Sequence, residues 1–343
     1  MGAGRGTVCE TAGMKILPPP VSLAQLPTPL EFAPRLTQAW GGPQIWIKRD
    51  DLTGFGLSGN KVRKLELHFA AADDADTHTM MTCGAVQSNH CRATAIASAR
   101  LGKRCILFLR SGDGKPPADV SGNHLLQRLA GAEVHFITPK QYADRDAVME
   151  AAAAELTASG EKVWILPEGA SDELGMRAFE SAFAETAAQI TAQIGSATTI
   201  WHAASSAGTT AGLAVGAARR RVSHPSEPPH VIVGASVGDD SAYLAGRVRS
   251  LLDIWNEGSA PFEVIDEYIG GGYGRTTDEE LAVQVEGSRL TGLIWDPTYT
   301  GKALYALHEE IRRGRFTSQD HVVFWHTGGG FAAFAHDFGG VLG

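Results

Sequence analysis

The sequence predicts an α/β protein built from two doubly wound units with mainly parallel sheets. Three observations carry that prediction. Short β-branched, apolar runs alternate with stretches of helical periodicity from about residue 61 to the C-terminus. The alternation comes in two series, with a junction near Pro167-Glu168-Gly169. The loops that follow several strands are polar and rich in glycine, at the carboxyl ends where open parallel sheets place their ligands.

Taken in order, residues 14–50 are proline-rich and end in a strand-like run, Gln44-Ile45-Trp46-Ile47-Lys48. A helix follows from Lys61, with Val62, Leu65 and Phe69 at helical spacing behind the capping types Ser58, Gly59 and Asn60. The first series then reads strand 79–83, helix 91–101, strand 104–109, helix 123–130, strand 133–137, helix 144–159 and strand 162–166. The second reads helix 173–194, strand 198–203, helix 209–221, strand 230–235, helix 241–256, helices 279–290 and 302–313, and strand 321–325. The expected division is a large domain of residues 1–60 plus 167–343 and a small one of 61–166, with a ligand cleft between them.

The 343 residues are 43% hydrophobic and 20% charged, which leaves ample core for two such domains. A net charge of -8 and a pI near 5.8, with no basic tract, argue against a nucleic-acid binder. Cys9, Cys83, Cys91 and Cys105 lack metal-ligand spacing and read as reduced core residues, with no metal expected. Residues 1–13, with charge at Arg5, contain no apolar core of signal-peptide length and are expected to be loosely held. No apolar run approaches a membrane span, and a soluble, cytoplasmic protein is expected.

The stretch Ser58-Gly59-Asn60-Lys61-Val62-Arg63-Lys64-Leu65-Glu66 places Lys61 in the first helical turn. There the positive end of the helix, with Arg63 and Lys64, disfavours an ammonium. A lysine that loses its proton near neutral pH can condense with a carbonyl and can carry protons. Standing alone, the segment reads by default as an exposed surface lysine at a helix start.

Ser205-Ser206-Ala207-Gly208-Thr209-Thr210-Ala211-Gly212 follows a strand and opens a helix. Small residues, hydroxyls and a helix N-terminus suit one phosphate. The run has neither a Gly-Lys-[Ser/Thr] ending nor Gly-x-Gly-x-x-Gly, which argues against a P-loop and a nicotinamide dehydrogenase. Tight packing between elements is the other reading of the small residues. Gln87-Ser88-Asn89-His90 offers N–H groups and a hydroxyl to a carboxylate, or else simple helix capping by Ser88 or Asn89. His90 reads as an acid or base, or as a structural histidine. Thr327, in His326-Thr327-Gly328-Gly329-Gly330, could aim a hydroxyl at a ring nitrogen. Tyr273 and Tyr299 lie in strand-end loops and are candidates for handling protons, or are packed rings with exposed hydroxyls. A reactive lysine, a cradle for a single phosphate, a carboxylate loop and a hydroxyl for a ring nitrogen together suit pyridoxal 5'-phosphate.

These segments resemble the tryptophan-synthase-β-like (fold type II) pyridoxal-phosphate enzymes. Within them the chain is similar to the family of D-cysteine desulfhydrase and 1-aminocyclopropane-1-carboxylate deaminase. The matching runs include Leu26-Pro27-Thr28-Pro29-Leu30, Ile47-Lys48-Arg49-Asp50-Asp51, the Lys61 and Gln87 segments, the phosphate loop, Tyr273-Gly274, Asp296-Pro297-Thr298-Tyr299-Thr300-Gly301-Lys302 and His326-Thr327-Gly328-Gly329. They occur in family order from about residue 20 onward. The resemblance implies that Lys61 holds the cofactor and takes the α-proton. It implies that Asn60, Asn89, Ala207, Gly208, Thr209 and Thr210 contact the cofactor, with Thr300 or Thr327 at its ring nitrogen. Ser88, Asn89, His90 and Gly169 become the substrate side, Tyr273 and Tyr299 the active-site tyrosines, and a homodimer the assembly.

The cyclopropane deaminases carry glutamate where this chain has Thr300 and lack threonine at the place of Thr327. The resemblance, with that difference, implies β-elimination from a small cysteine-like amino acid. D-cysteine is the expected substrate, giving pyruvate, hydrogen sulfide and ammonia. Arg275-Thr276 replaces the apolar residue and proline common in relatives, and the run 168–179 is less glycine-rich than in many desulfhydrases. Arg275 keeps an L-cysteate sulfo-lyase as an alternative beside the cyclopropane deaminase. A non-catalytic binder of the cofactor is the reading from another class.

Overall fold

The computed structural model describes residues 18–255 and 258–342. The readings of residues 1–13, of Cys9 and of a helix end at Asn256 lie outside them. The strands are β1 (Leu30–Phe32), β2 (Gln44–Lys48), β3 (Thr79–Ala85), β4 (Arg104–Arg110), β5 (Glu133–Ile137), β6 (Val163–Ile165), β7 (Thr199–Ala204), β8 (Val231–Ser236), β9 (Phe262–Ile265) and β10 (His321–Trp325). The helices are α1 (Pro34–Trp40), α2 (Lys61–Asp74), α3 (Asn89–Arg100), α4 (Gly122–Leu129), α5 (Pro139–Ala143), α6 (Arg145–Ala158), α7 (Glu173–Gln193), α8 (Gly208–Ser223), α9 (Ser241–Trp255), α10 (Asp278–Thr291) and α11 (Thr300–Arg312).

The described residues fall into two compact units. The first comprises residues 18–24 with Lys61–Ala170, and the second Gln25–Asn60 with the chain from Ser171 onward. Residues 18–24, like residues 167–170, thus group with the first unit and not with the large domain expected for them. For residues 18–24 the reason is local: Val21 N–H donates to the Glu66 carbonyl (3.2 Å), and the Leu23 and Ala24 N–H groups both donate to Glu66 Oε1 (2.8 Å each).

The first unit holds a parallel sheet in the order β5-β4-β3-β6. Strand β4 shows why its run reads as continuously apolar. Ile106 and Phe108 pack with Met149 and Ala153 of α6, whereas Cys105, Leu107 and Leu109 pack with Cys91 and Ala95 of α3. Both faces are covered, so neither alternate position is polar. Cys83, Cys91 and Cys105 are buried thiols, and burial pushes all three upward in pKa, which makes them poor nucleophiles.

The second unit holds a six-stranded sheet, β1-β2-β10-β7-β8-β9, parallel except for β1, which pairs antiparallel to β2. One face packs Ile45, Ile47, Trp201, Val233 and Phe324 against α11; the other packs Ile200, Ile232, Val323 and Trp325 against α7 and α8. β1, α1, α5 and β9 are elements that the sequence reading passed over. β1 is three residues long, α1 begins on a proline within a proline-rich stretch, and β9 is an edge strand. Among the described residues no helix is long and apolar enough to cross a membrane, and no His, Cys, Asp and Glu grouping could hold a metal ion.

Candidate active site

Lys61 is the first residue of α2, and its Nζ donates to the Gly169 carbonyl at 3.3 Å. Burial lowers its pKa from the usual lysine range to about 8, and the Glu168 carboxylate pulls the other way. The sequence reading attributed a lowered pKa to the helix end and to Arg63 and Lys64; the main cause is loss of water around the amine. The residue retains some surface, and about a tenth of the amine population is neutral one unit below that pKa. Gly169 lies in a tight turn at φ 67, and its carbonyl also accepts from Lys64 Nζ at 3.4 Å. The structure therefore brings Gly169 to Lys61 through its backbone oxygen.

The residue before Lys61 ties three predicted segments together within the second unit. Asn60 N–H donates to the Thr327 carbonyl (3.1 Å), and Asn60 Nδ2 reaches Thr209 Oγ1 (3.4 Å). Gly59 permits this approach: at φ 105, a Cβ there would lie 2.6 Å from the Thr327 carbonyl oxygen. Thr327 is 8% exposed, and no described residue hydrogen-bonds its hydroxyl.

Helix α8 begins in a way that asks for an anion. Ala207, Gly208, Thr209 and Thr210 are buried, Ala207 adopts φ 67, and no side chain caps the helix. Gly208 N–H takes the Ser206 carbonyl and Ala211 N–H takes that of Ala207, but no described residue accepts from the Thr209 and Thr210 amides. A buried helix start without acceptors is a prepared anion site. Ser171 Oγ donates to Ser206 Oγ at 2.7 Å and steadies the loop. The packing explanation belongs to the later glycines. A Cβ on Gly212 would meet the Met176 carbonyl at 2.3 Å, and one on Gly216 the Phe183 Cβ at 2.6 Å, where α8 crosses α7.

In the first unit, Ser88 caps α3 by accepting from Cys91 N–H at 3.1 Å, and its hydroxyl also bonds the Cys91 thiol. Asn89 Oδ1 accepts from Asn123 Nδ2 (2.7 Å), so the Asn89 NH2 is the end turned away from Asn123. Asn123, at the start of α4, also binds both the Gln87 carbonyl and, through its N–H, Gln87 Oε1 (2.8 Å each). It sets the geometry of the whole loop, yet in the sequence it looked only like a helix-start residue. His90 is 3% exposed, and its Nε2 lies 2.8 Å from Thr82 Oγ1, which itself donates to the Leu166 carbonyl. The ring nitrogen thus meets a residue of strand β3.

The two tyrosines do meet. Tyr273 and Tyr299 hydroxyls lie 2.5 Å apart, with ring planes at 77°. Thr300 does not resemble Thr327 in its surroundings. It is fully buried, and its hydroxyl accepts from Asp296 N–H at 2.7 Å. Two other residues of the shared motifs, Lys48 and Asp50, serve the scaffold: Lys48 binds Glu185, Gln189 and the Thr28 carbonyl, and Asp50 binds Thr28 and the Trp325 indole.

Glu168 is a site residue with no local signal in the sequence. Tyr142 donates to its Oε1 (2.5 Å) and Arg145 Nε lies 3.2 Å from its Oε2. Its charge is the one that raises the Lys61 pKa, so Glu168→Gln removes that support and drops the pKa below about 8. The check is the pH dependence of amine acylation at Lys61 in cofactor-free protein, where the midpoint moves to lower pH. An unchanged or higher midpoint would refute the assignment.

Comparison with known proteins identifies the family. The profile of the family described as pyridoxal-phosphate dependent enzyme matches residues 21–328. A Thermotoga maritima protein provisionally named 1-aminocyclopropane-1-carboxylate deaminase is 36% identical over 321 residues, 92% of this chain and 97% of the relative. The D-cysteine desulfhydrase of Salmonella choleraesuis is 34% identical over 325 residues, 93% and 96% of the two chains. A solved structure described as an ACC deaminase homologue superposes with a TM-score of 0.80 at 31% identity, covering 93% of this chain and 94% of that one. A fungal L-serine ammonia-lyase from Rhizomucor miehei shares the fold, with a TM-score of 0.61 at 17% identity over 90% of this chain and 95% of that one.

The chain belongs to the pyridoxal-phosphate dependent enzyme family, with the fold type II architecture. More narrowly, it is a pyridoxal-phosphate-dependent lyase of the group that contains the 1-aminocyclopropane-1-carboxylate deaminases and D-cysteine desulfhydrases. Its residues fit that cofactor: an uncapped, buried helix start for the phosphate, a lysine half neutral near pH 8 for the aldehyde, and at Thr327 a hydroxyl with no partner among the described residues.

Proposed function

We propose that the protein catalyses β-elimination of a cysteine-like amino acid, with D-cysteine converted to pyruvate, hydrogen sulfide and ammonia. The carrying observation is the Thr327 hydroxyl, which no described residue engages, on the residue whose carbonyl accepts from Asn60 N–H. A hydroxyl at the pyridine nitrogen leaves it largely unprotonated, a weaker electron sink than a carboxylate-bound pyridinium. Such a sink suffices when a good leaving group departs from the β-carbon and suits cyclopropane opening poorly. Between the two threonines, Thr327 is favoured for this role because no described residue bonds its hydroxyl, whereas the Thr300 hydroxyl is fully buried and already oriented by Asp296 N–H.

Bound pyridoxal phosphate supplies the electron sink that stabilises negative charge at the substrate α-carbon. In this reading the amides of Ala207–Thr210 hold its phosphate, Asn89 donates to its 3'-oxygen, and the larger unit carries most of its contacts. Ser88 and the first-turn amides of α3 bind the substrate carboxylate. The neutral Lys61 Nζ takes the α-proton. The Tyr273–Tyr299 pair delivers a proton to the sulfur as the carbon–sulfur bond breaks, and water later replaces nitrogen at the α-carbon. His90 is a support for the loop. The working assembly is a homodimer.

Arg275 supports a second reading. Its side chain is exposed and makes no ion pair among the described residues, so it could meet the sulfonate of L-cysteate. A panel of D-cysteine, L-cysteine, L-cysteate, D-serine and 1-aminocyclopropane-1-carboxylate separates these readings. The expected result is fastest pyruvate and sulfide release from D-cysteine. Fastest sulfite release moves the assignment to L-cysteate, and fastest 2-oxobutanoate release to the cyclopropane. A cofactor-loaded protein inert toward all five is a passive binder.

A further inference from the structure

We infer that the buried ion pair Glu280–Lys302 positions the tyrosine pair for proton transfer. The inference rests on the proposed role of Tyr273 and Tyr299, and it concerns residues that hydrogen-bond to neither of them. Lys302 and Glu280 side chains are 0% and 1% exposed, with Nζ 3.2 Å from Oε1. Taking both charges out of water is costly, and such a pair seldom adds net stability. What it adds here is a fixed connection between two segments.

The connection runs from one tyrosine to the other. Lys302 follows Tyr299 by less than one turn of α11. Its ammonium donates to the Ile269 carbonyl at 2.7 Å, at the root of the loop that carries Tyr273. Glu280 closes the same loop from its far end, accepting from Thr277 N–H at 2.7 Å in a capping box on α10. The loop lies flat on the carboxylate: at Gly270, φ 55, a Cβ would fall 2.8 Å from Glu280 Oε1. Thr276 adds a second tie, donating to the Pro297 carbonyl at 3.0 Å. The Tyr299 side is held by Asp296 Oδ1, which accepts from the Thr298 and Tyr299 N–H groups at 2.7 and 2.6 Å. Behind Tyr273, a Cβ on Gly238 would meet the Tyr273 Cβ at 2.8 Å. The loop is thus seated on Gly238 and anchored at both ends, which fixes the 2.5 Å phenol separation.

A simple staple between α10 and α11 would also bury such a pair, and the test must tell the two apart. The informative variant is Lys302→Met with Glu280→Gln, which leaves no lone buried charge and preserves an acceptor for Thr277; Thr276→Val is the milder companion. Cofactor-loaded protein is compared by hydrogen exchange of residues 269–276 and by steady-state kinetics with D-cysteine. The double variant is expected to exchange these amides on the order of tenfold faster while the visible band of the lysine-bound cofactor stays unchanged. Its kcat falls about 10- to 100-fold with little change in KM, and adding Tyr273→Phe lowers it no further. Thr276→Val shows the same pattern more weakly. Unchanged exchange overturns the inference, as do losses that multiply with that of Tyr273→Phe. If Tyr273→Phe alone keeps full turnover while exchange in the double variant still rises, the tie stands and the tyrosines' proposed chemistry is what fails.

Discussion

Lys61→Ala is expected to reduce turnover by at least about 10⁴-fold while leaving the fold intact. No other described amine has the same standing. Lys64 and Lys48 are buried, but both are bound to the scaffold, Lys64 to the Gly169 carbonyl and Lys48 to Glu185 and its neighbours. Stability should fall by no more than about 1 kcal/mol, because the amine's one described hydrogen bond is a long 3.3 Å contact and alanine is a strong helix former. The pH dependence of stability provides a second readout. The native pKa of about 8 lies below the usual 10.5, so between these values the unfolded chain binds the extra proton. Wild-type stability therefore gains a contribution as pH rises from about 8 to 10.5, and the alanine variant lacks it. Substantial pyruvate formation by Lys61→Ala would end the assignment of the lysine.

Thr300→Glu is expected to fail as a protein before it alters the reaction. The motif resemblance invites this change, since the cyclopropane deaminases carry glutamate there. In this chain the threonine side chain is fully buried and its hydroxyl is the acceptor for Asp296 N–H. The next residue, Gly301, has no spare room either: a Cβ on it would come within 2.2 Å of Gln284. A longer, charged side chain must be accommodated beside buried Asp296 without a cationic partner, at a cost of about 3–5 kcal/mol. Denaturant unfolding should show the loss, with elimination weakened and no efficient cyclopropane opening gained. Near-native stability together with rapid 2-oxobutanoate formation would show that one residue selects the reaction.

Helices and strands were legible because their signals are local. The three-residue β1 and the edge strand β9 were not, since neither has enough residues to establish a period. The phosphate loop was legible for a similar reason: small residues between a strand and a helix describe a chain conformation as well as a site. Even there, the segment serves two purposes that the sequence could not separate. Thr209 and Thr210 leave amides with no acceptor among the described residues, while Gly212 and Gly216 let α8 approach α7. Ser88, Asn89 and His90 formed one motif on paper. In the fold Ser88 caps, Asn89 is oriented by a residue 34 positions away, and His90 turns toward Thr82.

The sequence by itself determined the fold class, the family and therefore the cofactor, together with a short set of chemically able residues. Those follow from periodicity, capping preference and motif order, all of which act over a few neighbouring positions. Only the tertiary structure decided that Thr327 keeps an unengaged hydroxyl while Thr300 does not, that burial brings the Lys61 pKa to about 8, and that Tyr273 meets Tyr299 across 26 positions of chain. Desolvation and long-range hydrogen bonds depend on which distant residues arrive at one place, and no local pattern records that.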